Sequence, residues 1–136
     1  MSKQIRYLLI FIATALTVTF LTFIVIEAKN LLEPFRSFTV TIVNESDADI
    51  VSVETGIRSG SPDNSKHSYE KIIATGATAK IKPKLTFTGE GVIYQKFVDS
   101  NGRSRETIAC GYTEYVSGHS TVTIRNDKIE VEQDCM

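Results

Sequence analysis

The sequence predicts a mainly β protein, an antiparallel β-sandwich of seven to eight short strands preceded by one N-terminal transmembrane α-helix. Three observations lead there. Residues 7–26 form an apolar run with no charge, no Gly and no Pro. From Phe38 onward the apolar residues recur with period two and β-branched types are frequent, the pattern of half-buried strands. Clusters of Gly, Asn, Asp, Ser and Pro interrupt that pattern at short intervals, as turns do. A chain of 136 residues fits one compact domain and an appendage.

The apolar run reads "YLLIFIATALTVTFLTFIVI", with Tyr7 and Ile26 at its ends. At 1.5 Å rise per residue, about 20 helical residues cross a ~30 Å hydrocarbon layer. Thr14, Thr17, Thr19 and Thr22 interrupt it, but a threonine hydroxyl can bond a carbonyl of its own helix, so lipid tolerates it. A core helix would need a larger domain to wrap it on all sides. A cleaved signal has a shorter apolar region ending in small residues, and "VIEAKN" offers no good cleavage site. No ionisable group lies within the run, so an anchor is expected and not an ion path. Ala13 with Thr17, and Ala15 with Thr19, have the small-x-x-x-small spacing that sometimes pairs helices.

The expected layout is a cytoplasmic head at 1–6, the bilayer-spanning helix at 7–26, a juxtamembrane linker at 27–36 and a β domain at 37–136. Lys3 and Arg6 favour a cytoplasmic N-terminus, although Lys29 and Arg36 flank the other end. Pro34 should stop the helix near Glu33. The β domain would then sit in the periplasm or outside the cell, on a plasma or inner membrane.

The strands come in order along the chain. In "FTVTIVN", Phe38, Val40 and Ile42 share one face. "NESDAD" is a turn, "IVSVET" a second strand and "GIRSGSPDNSKHS" a loop. "YEKIIA" and "ATAKIKPKLTF" read as shorter strands around Gly76. "GVIYQKFVD" is a clear strand ended by "DSNGR", a hairpin signal centred on Asn-Gly. "RETIACGYTEYV" returns, "SGH" turns, "STVTIR" pairs, "ND" turns and "KIEVEQDC" finishes. Lys80, Lys82 and Lys84 share one face of "AKIKPK". With Pro83 they mark a solvated sheet edge that resists pairing; the alternative is an anion-binding stripe.

In size and strand count this domain resembles an immunoglobulin-like sandwich. The likeness is architectural, because the Cys…Trp…Cys spacing is missing and there is no Trp. An apolar N-terminal helix, a β-rich domain and two late cysteines also resemble type IV pilins in outline, which would imply a minor pilin-like subunit. The head "MSKQIRY" lacks the pilin leader glycine, and no Glu stands near the start of the apolar run.

Cys110 and Cys135 are the two cysteines. Strand alternation places Cys110 with Ile108 and Tyr112, and Cys135 with Ile129 and Val131. Both then point with apolar neighbours, as a buried disulfide requires, and such a bond persists in an oxidising compartment. A flat three-stranded meander opposes this. It sets Cys110 opposite Asn126 and Cys135 opposite Gly118, roughly 26 Å apart at 3.3 Å per residue, where a bond needs Cα atoms within ~7 Å. Either the last strand crosses to the other sheet or "GYTEYVSGH" is a wide loop. Free thiols, or an intermolecular bond through Cys135, are the other outcomes.

Candidate sites are few. His67 and His119 cannot supply a metal site alone. No G-x-S-x-G nucleophile motif and no phosphate-binding Gly-rich loop is present. Catalytic residues, cofactors and metals are therefore not expected. Glu45, Asp47 and Asp49 read as an acidic turn, since the EF-hand glycine and final Glu are missing. Asn44 in "NES" fits an N-glycosylation acceptor. The loop at 56–68 is long for a hairpin, and long loops on rigid scaffolds often recognise partners; Arg58, Asp63, Asn64, Lys66, His67 and Tyr69 are its contact groups. Formal net charge is -1, which argues against nucleic acid. The expected role is a non-catalytic binding or assembly module whose partners are the bilayer, through 7–26, and a protein of the cell envelope. An immunity or inhibitor protein facing a toxin or enzyme is the alternative.

Overall fold

The computed structural model describes residues 2–32, 37–60, 65–86 and 89–135. The chain divides into two compact units, 1–33 and 34–136.

The first unit is one helix, α1 (Lys3–Leu32). Its stretch Lys3–Lys29 is long and apolar enough to cross a membrane. The threonines close on their own helix: Thr17 Oγ1 donates to the Ala13 carbonyl (2.8 Å), Thr19 to Ala15 (2.9 Å) and Thr22 to Val18 (2.8 Å). Thr14 Oγ1 lies within reach of the Ile10 and Phe11 carbonyls. Each hydroxyl is satisfied without a partner outside the helix, as a lipid-facing position demands. The helix runs past the apolar stretch into the linker at 27–36 and ends at Leu32, close to the stop expected near Glu33; "EAKNLL" is made mostly of good helix formers. The proline expected to end it lies outside the described residues.

The second unit is all β, with eight strands in two four-stranded sheets: β1 (Thr39–Asn44), β2 (Ile50–Ser59), β3 (Lys66–Tyr69), β4 (Thr78–Ile81), β5 (Gly91–Asp99), β6 (Ser104–Thr113), β7 (Gly118–Ile124) and β8 (Ile129–Cys135). One sheet has the order β4-β1-β7-β8, the other β3-β2-β5-β6. Their inward faces share a single core. Phe38, Val40, Ile42, Val122 and Ile124 come from one side, and Val53, Ile57, Ile93 and Phe97 from the other, all essentially inaccessible. Full burial of such a side chain is worth about 1.5–3 kcal/mol, so the period-two pattern selects these faces.

The pairings are antiparallel except one. β1 and β7 run parallel, Val40 beside Ser120 and Ile42 beside Val122, which corrects the expected all-antiparallel arrangement. Parallel neighbours need a long crossover, and here five strands intervene in the chain. Strand periodicity carries no information about that choice.

Three boundaries also differ from expectation. The 56–68 loop is largely strand. β2 continues to Ser59 and forms a hairpin with β3 in register Val53↔Tyr69 to Gly56↔Lys66. Gly56 sits in that strand because the Tyr94 ring lies across it; a Cβ there would stand 2.5 Å from Tyr94 Oη. "YEKIIA" is not a strand: Tyr69 ends β3, and Ile73 makes only an isolated bridge to Ile50 while the chain passes between the sheets. "STVTIR" does not pair with the strand before it, since β6 and β7 belong to different sheets.

Candidate functional site

The two sheets have four edge strands, and they meet on two sides. On one side lie β6 and β8. The structure joins Cys110 of β6 to Cys135 of β8 in a disulfide, with the Cα atoms 6.1 Å apart. Two local features make this geometry. The register of β6 against β5 shifts so that Ile93 faces Cys110 while Tyr94 faces Ile108. Ala109 is thus the extra residue of a bulge, and such a residue re-aims the side chain after it. Both Ala109 and Cys110 are fully buried, whereas Ile108 and Tyr112 are exposed. This corrects the expectation that Cys110 shares a face with Ile108 and Tyr112. The meander register does apply to Cys135, which lies opposite Gly118. The discrepancy vanishes because β7 and β8 cross together to the other sheet. Beside the disulfide, the Gly111 amide donates to Gln133 Oε1 at 2.8 Å, and Arg105 donates to the Arg125 carbonyl. This side is closed.

On the other side lie β3 and β4. Here a groove of about 580 Å³ opens between the edges, lined by residues 67–71 of one sheet and Lys80, Ile81 and Lys82 of the other. His67 and Tyr69 pair with Thr55 and Val53, both buried, so they lean towards the space between the sheets. Ile81 is buried at the floor. Lys71, Lys80 and Lys82 stand exposed at the rim, and among the described residues none has a carboxylate partner.

The residues read as one recognition loop are therefore divided. His67 and Tyr69 line the groove. Arg58 and Lys66 belong to the opposite face of the β3-β2-β5-β6 sheet and are engaged there. The Arg58 guanidinium lies 4.6 Å from the Tyr94 ring centre and 2.5 Å from Glu106. Lys66 is 3.4 Å from Glu54, which accepts a 2.8 Å bond from Tyr94 Oη. That bond, helped by Lys66 and Lys96 and opposed by burial, holds the Glu54 carboxyl below its usual range. Burial, then Glu54, pushes the Tyr94 hydroxyl up. Asp63 and Asn64 lie outside the described residues. Sequence reasoning misses Glu70, Lys71 and Ile81, because nothing local reveals that β3 and β4 face each other. The alternation of Lys80 and Lys82 is the available signal.

The turn 45–49 is structural. Glu45 pairs with Arg125 at 2.8 Å, Asp47 lies 3.8 Å from Arg103, and Asp49 accepts from the Thr75 amide at 2.9 Å. The three carboxylates diverge, and among the described residues no three His, Cys, Asp or Glu side chains gather as a metal site would require. Asn44 is inaccessible. Its amide nitrogen donates to the carbonyls of Ala48 (2.9 Å) and Ile73 (3.0 Å), and its Oδ1 accepts from the Ser46 amide and lies 2.6 Å from the Ser46 hydroxyl. A glycan on that nitrogen does not fit the folded domain, because it would replace one of the two N–H donors and needs room that the inaccessible site lacks.

No family model matches the chain, and no curated protein matches it. Among solved structures it is similar to an NMR structure of a protein from Eubacterium rectale, with a TM-score of 0.46 at 10% identity, over 74% of this chain and 91% of that one.

Proposed function

We propose that this protein is a single-pass membrane-anchored binding or assembly module. Its helix lodges in the bilayer through 7–26 with the N-terminus in the cytoplasm. It displays an immunoglobulin-like β-sandwich on the periplasmic or extracellular side and works by non-covalent contact with an envelope protein, without catalysis. The observation that carries this is the pairing of a membrane-length apolar helix with a disulfide-bonded β unit. Disulfides persist outside the reducing cytosol, which agrees with Lys3 and Arg6 remaining inside. The long helix carries no ionisable side chain from Leu8 to Ile26, which supports anchoring over transport.

The test has two arms. A C-terminal reporter that works only outside the cytosol should be active in this chain, and an active cytosolic reporter would reverse the orientation. Crosslinking in native membranes should trap the same envelope protein repeatedly; recovery of monomer alone would sink the assembly role.

A further inference from the structure

We propose that the groove between β3 and β4 receives an extended peptide segment bearing acidic side chains, which adds as a strand to the free edge of β4. This deepens the binding-module reading and rests on it. β4 pairs only with β1 among the described residues, so one row of its main-chain donors and acceptors is open to a new strand. Thr78–Ile81 offers four residues, about 13 Å at 3.3 Å per residue, and a groove of about 580 Å³ accommodates a segment of that order.

The charge at the rim selects the occupant. Lys71, Lys80 and Lys82 surround the opening against the single carboxylate of Glu70. A second copy presenting its own β4 would set lysines against lysines, which is unfavourable for directly opposed strands. An acidic strand converts the same lysines from a barrier into attraction, the two-sided basis of specificity. His67 and Tyr69 at one wall and Ile81 at the floor supply apolar contact for the alternate residues, which an extended segment presents on its other face. On the opposite side of the domain β6 and β8 are instead tied by Cys110–Cys135.

The experiment uses the full chain in detergent micelles and a fluorescent peptide alternating Val and Glu, read by anisotropy. Saturable binding is expected, weakening with salt and falling roughly tenfold in Lys80→Gln/Lys82→Gln, at the strength of exposed ion pairs. A peptide alternating Val and Lys should not bind, and N-methylation of alternate amides of the acidic peptide should abolish binding. Equal affinity of wild type and variant, or indifference to N-methylation, overturns the proposal. So does lysine-dependent binding of phosphatidylglycerol vesicles without peptide binding, which assigns the groove to lipid headgroups. The variant's thermal midpoint should match wild type, because both lysines are exposed. A photo-crosslinker at His67 in the groove and another at Ile108 on the outer face separate this idea from the broader one. Capture of an envelope protein only from Ile108 leaves a binding module but overturns the groove as its site.

Discussion

Reduction of Cys110–Cys135 gives the sharpest test of how the domain is held closed. The bond spans 25 residues of chain. In the chain-entropy treatment, closing a loop of that length in the unfolded state is worth about 3.5 kcal/mol at 25 °C. Since small domains have roughly 5–15 kcal/mol in all, reduction should remove a large part of the stability. For a domain of about this size the midpoint should fall by ~15 °C. The assay is thermal unfolding of the full chain followed by near-ultraviolet circular dichroism, oxidised and after reduction with thiol blocking. Hydrogen exchange supplies the spatial readout. Amides of β8 should lose protection before those of β2 and β5, because β8 is bound on one edge only, to β7. A fall below about 3 °C, or uniform loss of protection across both sheets, would refute the reasoning. Either would mean that the Gly111–Gln133 and Arg105–Arg125 bonds already close this side.

Other perturbations rest on single contacts. Gly118→Ala places a methyl 2.2 Å from the Asp134 carbonyl oxygen at a backbone φ of +96°, so it should cost about 3 kcal/mol or more, read as a lower urea midpoint. Asn44→Ala removes one of two donors to each of the Ala48 and Ile73 carbonyls and leaves the buried Ser46 amide without its acceptor; it should cost about 2–3 kcal/mol, by the same measurement. Gly56→Ala forces the Tyr94 ring off β2; an NMR titration should then show the Glu54 carboxyl rising towards its ordinary value as its first supporting bond is lost. The Tyr112 hydroxyl is pushed up to about 12, first by its bond to Glu114 and then by burial and the charges of Glu114 and Glu90. Ultraviolet titration should show Tyr112 late, alongside the raised Tyr94, and the Tyr112 phenol alone should return towards 10 in Glu114→Gln. Burial raises the Asp99 carboxyl, but bonds from Arg103 and Asn101 and the Arg103 charge outweigh it, so it titrates below its usual range. Its contribution is complete above pH ~4 and is lost as pH falls through the folded value; acid unfolding should begin at higher pH in Arg103→Ala.

The strands were legible where alternation is unbroken. β1, β5 and β8 match their expected segments within a residue or two, because each buries one face and a slip would expose it. Three things were not legible, for different reasons. The Ala109 bulge adds a residue to β6 without disturbing its composition, so counting by two from Ile108 mis-assigns Cys110. The hairpin β2–β3 was hidden because Gly56 and Ser59 resemble turn residues; only the cross-strand Tyr94 explains the glycine. The groove was out of reach altogether, since His67 and Lys80 come together through pairings with β2 and β1, which no local pattern encodes.

Edge strands are a liability in any open sheet, and the two sides of this domain handle them by opposite means. β6 and β8 are withdrawn from outside pairing by a covalent bond and by side chains that reach across the gap. β3 and β4 have no further strand paired to them among the described residues and are only four residues long, with the Thr86 amide donating to Ser65 Oγ (3.0 Å) where the chain leaves this side. Lys80 lies within β4 and Lys82 just beyond it, and Pro83 follows, with no amide proton to extend a ladder. Shortness and positive charge suppress pairing with a generic or identical strand without abolishing it, because the main-chain groups stay free. In the proposed strand addition, the residual affinity is directed to strands whose charge is opposite. A domain that only needed to stay monomeric could have closed both sides alike. Under the proposed strand addition, a short, basic edge refuses identical copies, whose lysines would oppose its own, and still admits an acidic strand.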